Sequence, residues 1–281
     1  KKGRSGVTKY NFKTAVGVSD FAVENYKAAR GDDFVMLMRE SLENYYGPGH
    51  PNVEYNMNRN EWYEPAGGYT DWYDLLFRQG LSINTELSAT GGNDKTQFYV
   101  SANMLDQEGL ALNSDFRRYS GRLNLTHKLS DKLNMGINLL LSKTQQNTAN
   151  NGTAYINQFY NVNRNTWPTE TPYDENGDYK YELVNAGYYN LLREYELTVR
   201  TSDIFRSMST GCIEYKPYDF LSFKSTFTLS YKNSLLSNVE RSDSSTSKTM
   251  PLTLLFSDFS IPKNVHENVG LIFSAAFQLR E

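Results

Sequence analysis

The chain has 281 residues, a formal net charge of −3 and a mean hydropathy of −0.62. Charges of both signs are mixed along it, so nothing favours a nucleic-acid partner. No run approaches eighteen consecutive apolar residues, which argues against a transmembrane helix but not against strands that alternate apolar and polar residues. Cys212 is the one cysteine, so no intrachain disulfide can form.

The first eighty residues predict one strand and then a long link with one or two short helices. Residues 10–18 alternate apolar and polar side chains, which is the period of a strand. Residues 32–46 change to a spacing of three and four behind two aspartates, and Gly47 and Pro48 follow, so we predict an amphipathic helix there. Packing on a large loop is its simpler interpretation, and binding a partner is the other. We predict irregular structure over 47–69 and a second helix that Thr70 caps and that runs through Phe77.

Residues 81–143 predict a meander of four long antiparallel strands. A period of two runs through residues 81–90, 97–104, 119–129 and 133–141, and helical spacing fits none of them. Polar clusters at 91–95 and 130–132 predict tight turns, and a longer polar link separates the middle pair of strands. The clearest apolar row is Leu133, Met135, Ile137, Leu139 and Leu141, opposite Asn134, Gly136, Asn138 and Ser142.

The rest of the chain continues the pattern with longer connections. A long link over about 145–200 precedes a strand at 201–215, a tight turn at 216–219 and a strand at 221–231. A loop at about 237–267 then leads to a last strand at 269–279. Runs of about ten residues suit a tilted strand that crosses a bilayer, and short turns at one end with long loops at the other are typical of outer-membrane barrels. We therefore predict an all-β fold, an antiparallel transmembrane β-barrel with about eight strands.

Candidate chemistry argues against an enzyme, a metal site or a cofactor. His50, His127 and His266 have no metal-ligand spacing, and no nucleophile stands beside a base. Asp174, Asn176 and Asp178 resemble the start of a calcium loop, but the glycine and glutamate that such a loop needs are missing further on. We predict a tight turn at Asn176-Gly177 instead.

The aromatic and amide side chains of the long links remain as candidate ligand contacts. Their rings and amides could stack on a sugar or grip a peptide. Alternatively, the rings pack the loops together or mark the membrane interface. The candidate substrate-binding residues are Trp62, Tyr63, Tyr160, Trp167, Asn60, Asn161 and Asn163.

A series of short sequence elements, in order and spacing, resembles the early barrel of the SusC/RagA family of TonB-dependent outer-membrane transporters. The elements are Lys1-Lys2-Gly3, Thr70-Asp71-Trp72, Phe77-Arg78, Leu87-Ser88 with Gly91-Gly92, Asp106-Gln107-Glu108-Gly109, Phe116 with Arg118-Tyr119-Ser120, and Arg122-Leu123-Asn124. Residues 173–177 and 216–223 are similar to later parts of the family pattern. The resemblance covers most of residues 1–237.

The resemblance implies a bacterial outer-membrane protein that imports oligosaccharides or peptides, with a SusD-type surface lipoprotein as lid and the TonB complex as energy source. Such transporters have about 22 strands around a plug. We therefore expect residues 1–281 to be a partial barrel of a larger one, with lipid around it and without the plug that contacts TonB. A self-contained small barrel acting as an anchor or adhesin, and a soluble glycan-binding β-sandwich, stay open as alternatives.

Overall fold

The computed structural model describes residues 5–22, 29–149, 162, 166–184, 190–240 and 263–279. Within them, eight strands form one antiparallel sheet in the order of the sequence. This confirms the predicted antiparallel meander. The strands are β1 (Gly6–Ser19), β2 (Gly80–Gly92), β3 (Thr96–Glu108), β4 (Asp115–Ser130), β5 (Leu133–Asn147), β6 (Thr198–Tyr218), β7 (Leu221–Glu240) and β8 (Lys263–Leu279).

The register of the strands gives the sheet one apolar and one polar face. Leu125 of β4 pairs with Ile137 of β5, which pairs with Gly211 of β6. Because directly paired residues point to the same side, the rows through Met135, Ile137 and their partners form what we call the apolar face. The opposite rows form the polar face, where Asn124 pairs with Asn138 and Asn138 with Thr210.

Short turns lie at one end of the sheet and longer links at the other. The short turns comprise residues 93–95, 131–132 and 219–220, whereas residues 20–79, 109–114, 148–197 and 241–262 connect strands at the long-link end. In the first turn, the amide N–H groups of Lys95 and Thr96 donate to Oδ1 of Asn93 at 2.9 and 2.7 Å. Gly92 before it has φ of 145°, and a Cβ there would lie 2.2 Å from the carbonyl oxygen of Thr96.

Two connections differ from the sequence-based expectation. The third turn lies at 219–220 and not within 216–219, because β6 runs on through Pro217 by means of a register irregularity between Tyr215 and Tyr218. The connection between β7 and β8 comprises 241–262, so it is shorter than the predicted loop at 237–267. Pairing with the neighbouring strands extends β6 and β7 beyond the polar residues that suggested a turn and a loop.

Four helices lie in the described part of the long links, where one or two were predicted. They are α1 (Asp32–Tyr46), α2 (Pro51–Arg59), α3 (Trp72–Leu76) and α4 (Leu191–Leu197). The region of α2 was predicted to be irregular, yet Val53 and Met57 form a buried stripe and His50 caps it by accepting the Asn52 N–H at 3.1 Å. Among these helices none has both the length and the apolar character needed to span a membrane.

Two alternatives to a larger barrel do not fit this sheet. A β-sandwich needs two packed sheets, whereas the eight strands of the described part of the chain all belong to one sheet, so that interpretation is wrong. A self-contained eight-stranded barrel needs β1 to pair with β8. In the ranges that the structure describes, β1 pairs with β2 alone and β8 with β7 alone, so the sheet is not closed.

The buried core lies at the long-link end rather than between sheets. It joins α3, the link between β3 and β4, and α4. Its described members are Trp72, Leu76, Phe77, Ala111, Val162, Leu183, Leu191, Leu192 and Tyr195. This core packs the described parts of the long links against the strand ends.

Candidate ligand-binding site at the long-link end

Helix α3 is tied directly to the sheet below it. The backbone N–H of Arg78 donates to the Leu110 carbonyl at 2.8 Å, and the Arg78 guanidinium pairs with Asp115, the first residue of β4, at 2.5 Å. The Leu112 N–H donates to the Leu76 carbonyl at 3.2 Å. These bonds hold the first long link against the link between β3 and β4.

The two long links on either side of β2–β5 dock on each other. The indole N–H of Trp72 donates to the Trp167 carbonyl at 2.9 Å, and the Thr70 N–H donates to the Pro168 carbonyl at 2.8 Å. Trp72 is buried, so its hydrogen bond is shielded from water. As a result, residues 166–168 lie beside the region between α2 and α3.

Trp62, Trp167 and Phe34 form what we call the three-ring cluster. The Trp62 and Trp167 ring centroids are 5.3 Å apart in an edge arrangement, and Phe34 lies 6.5 Å from Trp62 and 6.3 Å from Trp167. Phe34 is buried, whereas both tryptophans keep part of their surface exposed. The cluster therefore has an internal support and two aromatic surfaces within reach of a ligand.

Helices α1 and α2 form a hairpin that carries two corners of the cluster. The Arg39 guanidinium of α1 binds both carboxylate oxygens of Glu54 in α2, and this contact lowers the pKa of the Glu54 carboxyl below its ordinary value. Val53 and Met57 are buried on the inner side of α2. Phe34 lies in α1, and Trp62 follows α2, where its N–H donates to the Met57 carbonyl at 2.9 Å.

Tyr69 and Asp71 connect the hairpin to α3. The Tyr69 hydroxyl donates to Oδ1 of Asp32 at 2.7 Å, and this hydrogen bond to a carboxylate raises the pKa of Tyr69 to about 12. The Asp71 carboxylate pairs with Arg30 and accepts the N–H groups of Tyr73 and Asp74 at 3.0 and 3.3 Å. Asp71 is therefore the N-cap of α3, and the prediction that Thr70 caps this helix was wrong by one residue.

The predicted contact residues have different places in this arrangement. Trp62 and Trp167 come together, although 104 residues separate them in the sequence. Tyr63 is 48% exposed and takes part in no ring contact of the described residues. The Asn60 side chain donates to the Asn56 carbonyl at 2.9 Å at the end of α2, so its N–H₂ group already has a structural partner. Tyr160, Asn161 and Asn163 lie outside the described residues.

Sequence analysis missed the supporting ring, Phe34, but not the aromatic side chains of the long links, which include a second group of rings nearby. Phe34 was assigned only to a helix face, and its contact with two distant tryptophans has no local signal. Tyr46 stacks on His50 at 5.6 Å, and Tyr45 meets Tyr46 edge-on at 4.6 Å. Tyr55 is another exposed ring on the hairpin. The high share of aromatic residues in a polar link was the signal that pointed to these tyrosines.

The region around the hairpin is strongly acidic. Residues 32–64 hold seven acidic and two basic side chains, which are Asp32, Asp33, Glu40, Glu43, Glu54, Glu61 and Glu64 against Arg39 and Arg59. Because like charges repel, this surface disfavours polyanionic ligands. Aromatic rings with amides nearby instead suit neutral sugars and peptides.

At 174–178, Asp174 Oδ1 accepts the Asn176 and Asp178 N–H groups, which confirms the predicted turn.

Comparisons with known proteins agree with this architecture. No protein-family model matches the chain. The TonB-dependent receptor P26 of Formosa agariphila is 32% identical over 168 residues, which is 58% of this chain and 16% of that protein. SusC, a TonB-dependent receptor of Bacteroides thetaiotaomicron, is 30% identical over 119 residues, or 42% of this chain and 12% of that protein.

Nearly the whole length of this chain matches part of a solved transporter in fold. The RagAB peptide transporter superposes with a TM-score of 0.74 over 99% of this chain and 33% of that chain, at 19% identity. The chain is a SusC/RagA-like segment of a TonB-dependent transporter barrel. The SusC/RagA-like segment spans about a sixth of the first curated relative it matches and a third of the solved chain.

Similarity to these proteins indicates what the apolar face of the sheet contacts. TonB-dependent receptors of this type are outer-membrane proteins, so the strands of the SusC/RagA-like segment cross the outer membrane and its apolar face lies against lipid. Ile137, in the middle of the apolar row of β5 from Leu133 to Leu141, is 48% exposed on that face. In outer-membrane barrels the longer links are generally extracellular.

Proposed function

We propose that the SusC/RagA-like segment belongs to a transporter that imports oligosaccharides or peptides across the outer membrane. A SusD-type lipoprotein would cover the extracellular end, and the TonB complex would supply energy through a plug. Residues 1–281 would contribute a partial barrel to this transporter, together with links that meet the substrate. The function is transport rather than catalysis.

The three-ring cluster is the observation that carries this proposal. Trp62 and Trp167 come from separate links, yet they meet at 5.3 Å over a buried phenylalanine. Two aromatic surfaces held by two links can bind a ligand only while the links stay docked. That arrangement suits a site at the entrance of a barrel, where substrate must be captured before it passes the lumen.

The charge of the same region narrows the substrate class. The acidic residues of 32–64 favour neutral or basic ligands over acidic glycans. RagAB, which shares this fold, is a peptide importer. Two ligand classes satisfy these requirements: uncharged oligosaccharides, and peptides with basic or aromatic side chains. Binding measurements with ligands of both classes show which one the site prefers.

The test is ligand binding to the intact transporter with four rings removed. The variant carries alanine at Trp62, Tyr63, Tyr160 and Trp167. Each stacked ring contributes about 0.5–1.5 kcal/mol beyond the area that it buries, so two or more lost rings should weaken binding at least about fivefold. Isothermal calorimetry with uncharged oligosaccharides and with basic and acidic oligopeptides measures the change.

A matched control removes two rings from the opposite end of the sheet. Tyr218 and Phe220 stack at 5.5 Å beside the last short turn, and both are exposed. Alanine at these two positions should leave ligand affinity unchanged. Wild-type affinity of the fourfold variant, in a barrel that still shows a heat-dependent shift on a gel, would mean that the four rings only pack the links.

A further inference from the structure

A groove of about 470 Å³ crosses the apolar face between β2 and β6. Its floor is made by Ala102 of β3 and Gly121 of β4, which pair directly, and its two walls by Leu87 of β2 and Leu141 of β5. We call it the apolar-face groove. Its volume lies within the range of about 300–1,000 Å³ that is usual for sites that hold small ligands.

The groove exists because two small residues stand between two large ones in a single row. Leu87 pairs with Ala102, Ala102 with Gly121, and Gly121 with Leu141. A Cβ added at Gly121 would meet no heavy atom within 4 Å, and Gly121 has no positive φ that would strain a larger residue. The depression is therefore open space on the lipid side and not a gap filled by neighbouring side chains.

The groove lies in the extracellular half of the apolar band. Along β5, Leu141 is eight residues from Leu133, where the short turn ends. At about 3.3 Å per residue and a tilt of about 40°, that places it roughly 20 Å up an apolar band about 25 Å tall. The apolar band ends just beyond Leu141. The next row towards the long links carries Lys143 on the same face, and the row after it carries the ion pair of Arg117 with Asp106.

A cation and two aromatic rings border the upper end of the groove. Lys143 pairs across the strands with Tyr119 on one side and Phe205 on the other, and all three line the groove. The Lys143 side chain is exposed and has no ion pair with any residue that the structure describes. In contrast, Arg117 in the next row is already neutralised by Asp106 at 3.1 Å.

We propose that the apolar-face groove holds an acyl chain of lipid A, the phosphorylated, multiply acylated glycolipid of the outer leaflet, with a phosphate on the Lys143 ammonium. The dry floor and walls accept the hydrocarbon, and the unpaired cation stands at the depth of the head groups. A lipid of the inner leaflet would meet the groove with its chain ends, far from any head group. The charge and the depth together select this occupant over an uncharged lipid.

The experiment is native mass spectrometry of the full-length transporter in mild detergent, titrated with lipid A, phosphatidylglycerol and phosphatidylcholine. The wild type should retain one lipid A in preference to the other two lipids. Gly121→Phe fills the groove and should lower the bound fraction of lipid A at least about fivefold, and Lys143→Gln should lower it about threefold. Ala102→Phe fills the same groove from the neighbouring strand and replaces Gly121→Phe if that variant does not fold.

Gly211→Phe is the matched control. Gly211 lies on the same apolar face, pairs with Ile137 and also has open space where a Cβ would be, but it lies outside the groove. It should leave the bound fraction unchanged. Equal lipid A binding by wild type and Gly121→Phe would overturn the proposal, as would a preference for phosphatidylglycerol, or a dimer of transporters that only Gly121→Phe dissociates.

Discussion

The Asp71 carboxylate joins the start of α3 to Arg30. It caps α3, pairs with Arg30 and stands next to Trp72, whose indole bonds to the second link. Asp71→Ala removes the cap, which costs about 0.5–2 kcal/mol in comparable helices. We expect faster hydrogen exchange at residues 72–77 of the intact transporter, measured by mass spectrometry.

Thr70→Ala is the control for that prediction. The Thr70 side chain makes no cap in the structure, and only its backbone N–H bonds to Pro168. Exchange at 72–77 should therefore remain that of the wild type. Equal protection in Asp71→Ala and wild type would show that the buried side of α3 alone fixes the helix.

Tyr69 gives a pH-dependent prediction at the same scale. Its pKa is raised from the ordinary 10.0 to about 12, chiefly because its hydroxyl donates to the Asp32 carboxylate. The bond needs the protonated phenol, so its stabilisation is complete below pH 10 and is lost as the pH rises towards 12. The absorbance titration of wild type minus that of Tyr69→Phe should show one tyrosine with a raised pKa, and Asp32→Asn should bring that pKa down.

The role of a residue could be predicted from the sequence where it depends on its neighbours in the chain. It could not be predicted where it depends on contacts with residues far away in the sequence. Both Thr70 and Asp71 are good capping residues, and helix starts are uncertain by one or two positions, so the cap could not be chosen. Trp62 and Trp167 were selected by ring chemistry alone. The contact between the two rings depends on how the two links dock, and the spacing of residues in the sequence does not predict that.

At the scale of the element, β5 shows how the apolar face is maintained. Met135, Ile137 and Leu141 are exposed on that face, and the polar face carries Asn134 and Asn138. Ile137 lies in the middle of the apolar band. Ile137→Arg should lower the free energy of unfolding in lipid by roughly 2–4 kcal/mol, because an arginine near the midplane must be desolvated.

Asn138→Arg tests whether the face, rather than the charge, causes that loss. Asn138 follows Ile137 in the strand and points to the polar face. The same charge there should cost little. Urea titrations of the intact transporter refolded in lipid measure both variants, and equal stability of Ile137→Arg and the wild type would contradict the assignment of the apolar face to lipid.

Strands were predictable and two helices were not, for a physical reason. Alternation of apolar and polar residues over ten or more positions is a strong signal of a strand. Gly92 and Asn93 mark the turn between β2 and β3. In contrast, α2 has nine residues with four asparagines in or beside it, and these hide the stripe of Val53 and Met57. Helix α4 has only seven residues, and tertiary packing rather than propensity stabilises helices that short.

At the scale of the whole molecule, the two outer strands leave the sheet open. β1 and β8 each pair on one side in the described ranges, and unpaired backbone groups are costly in lipid. Residues 1–281 expressed alone should therefore give no heat-shifted barrel band and no TonB-dependent uptake, whereas the intact transporter should give both. A heat-shifted band from the isolated segment would show that these strands close on themselves.

The central claim is that the strands cross the outer membrane with the long links outside the cell, and labelling of cysteines on intact cells tests it most directly. In the full-length transporter with Cys212→Ser, one variant carries Asn58→Cys on exposed α2 and another carries Lys132→Cys in an exposed short turn. A maleimide too large to pass the outer membrane should label position 58 on intact cells, and position 132 only after the membrane is permeabilised. Labelling of position 132 on intact cells, or protection of position 58, would contradict the account.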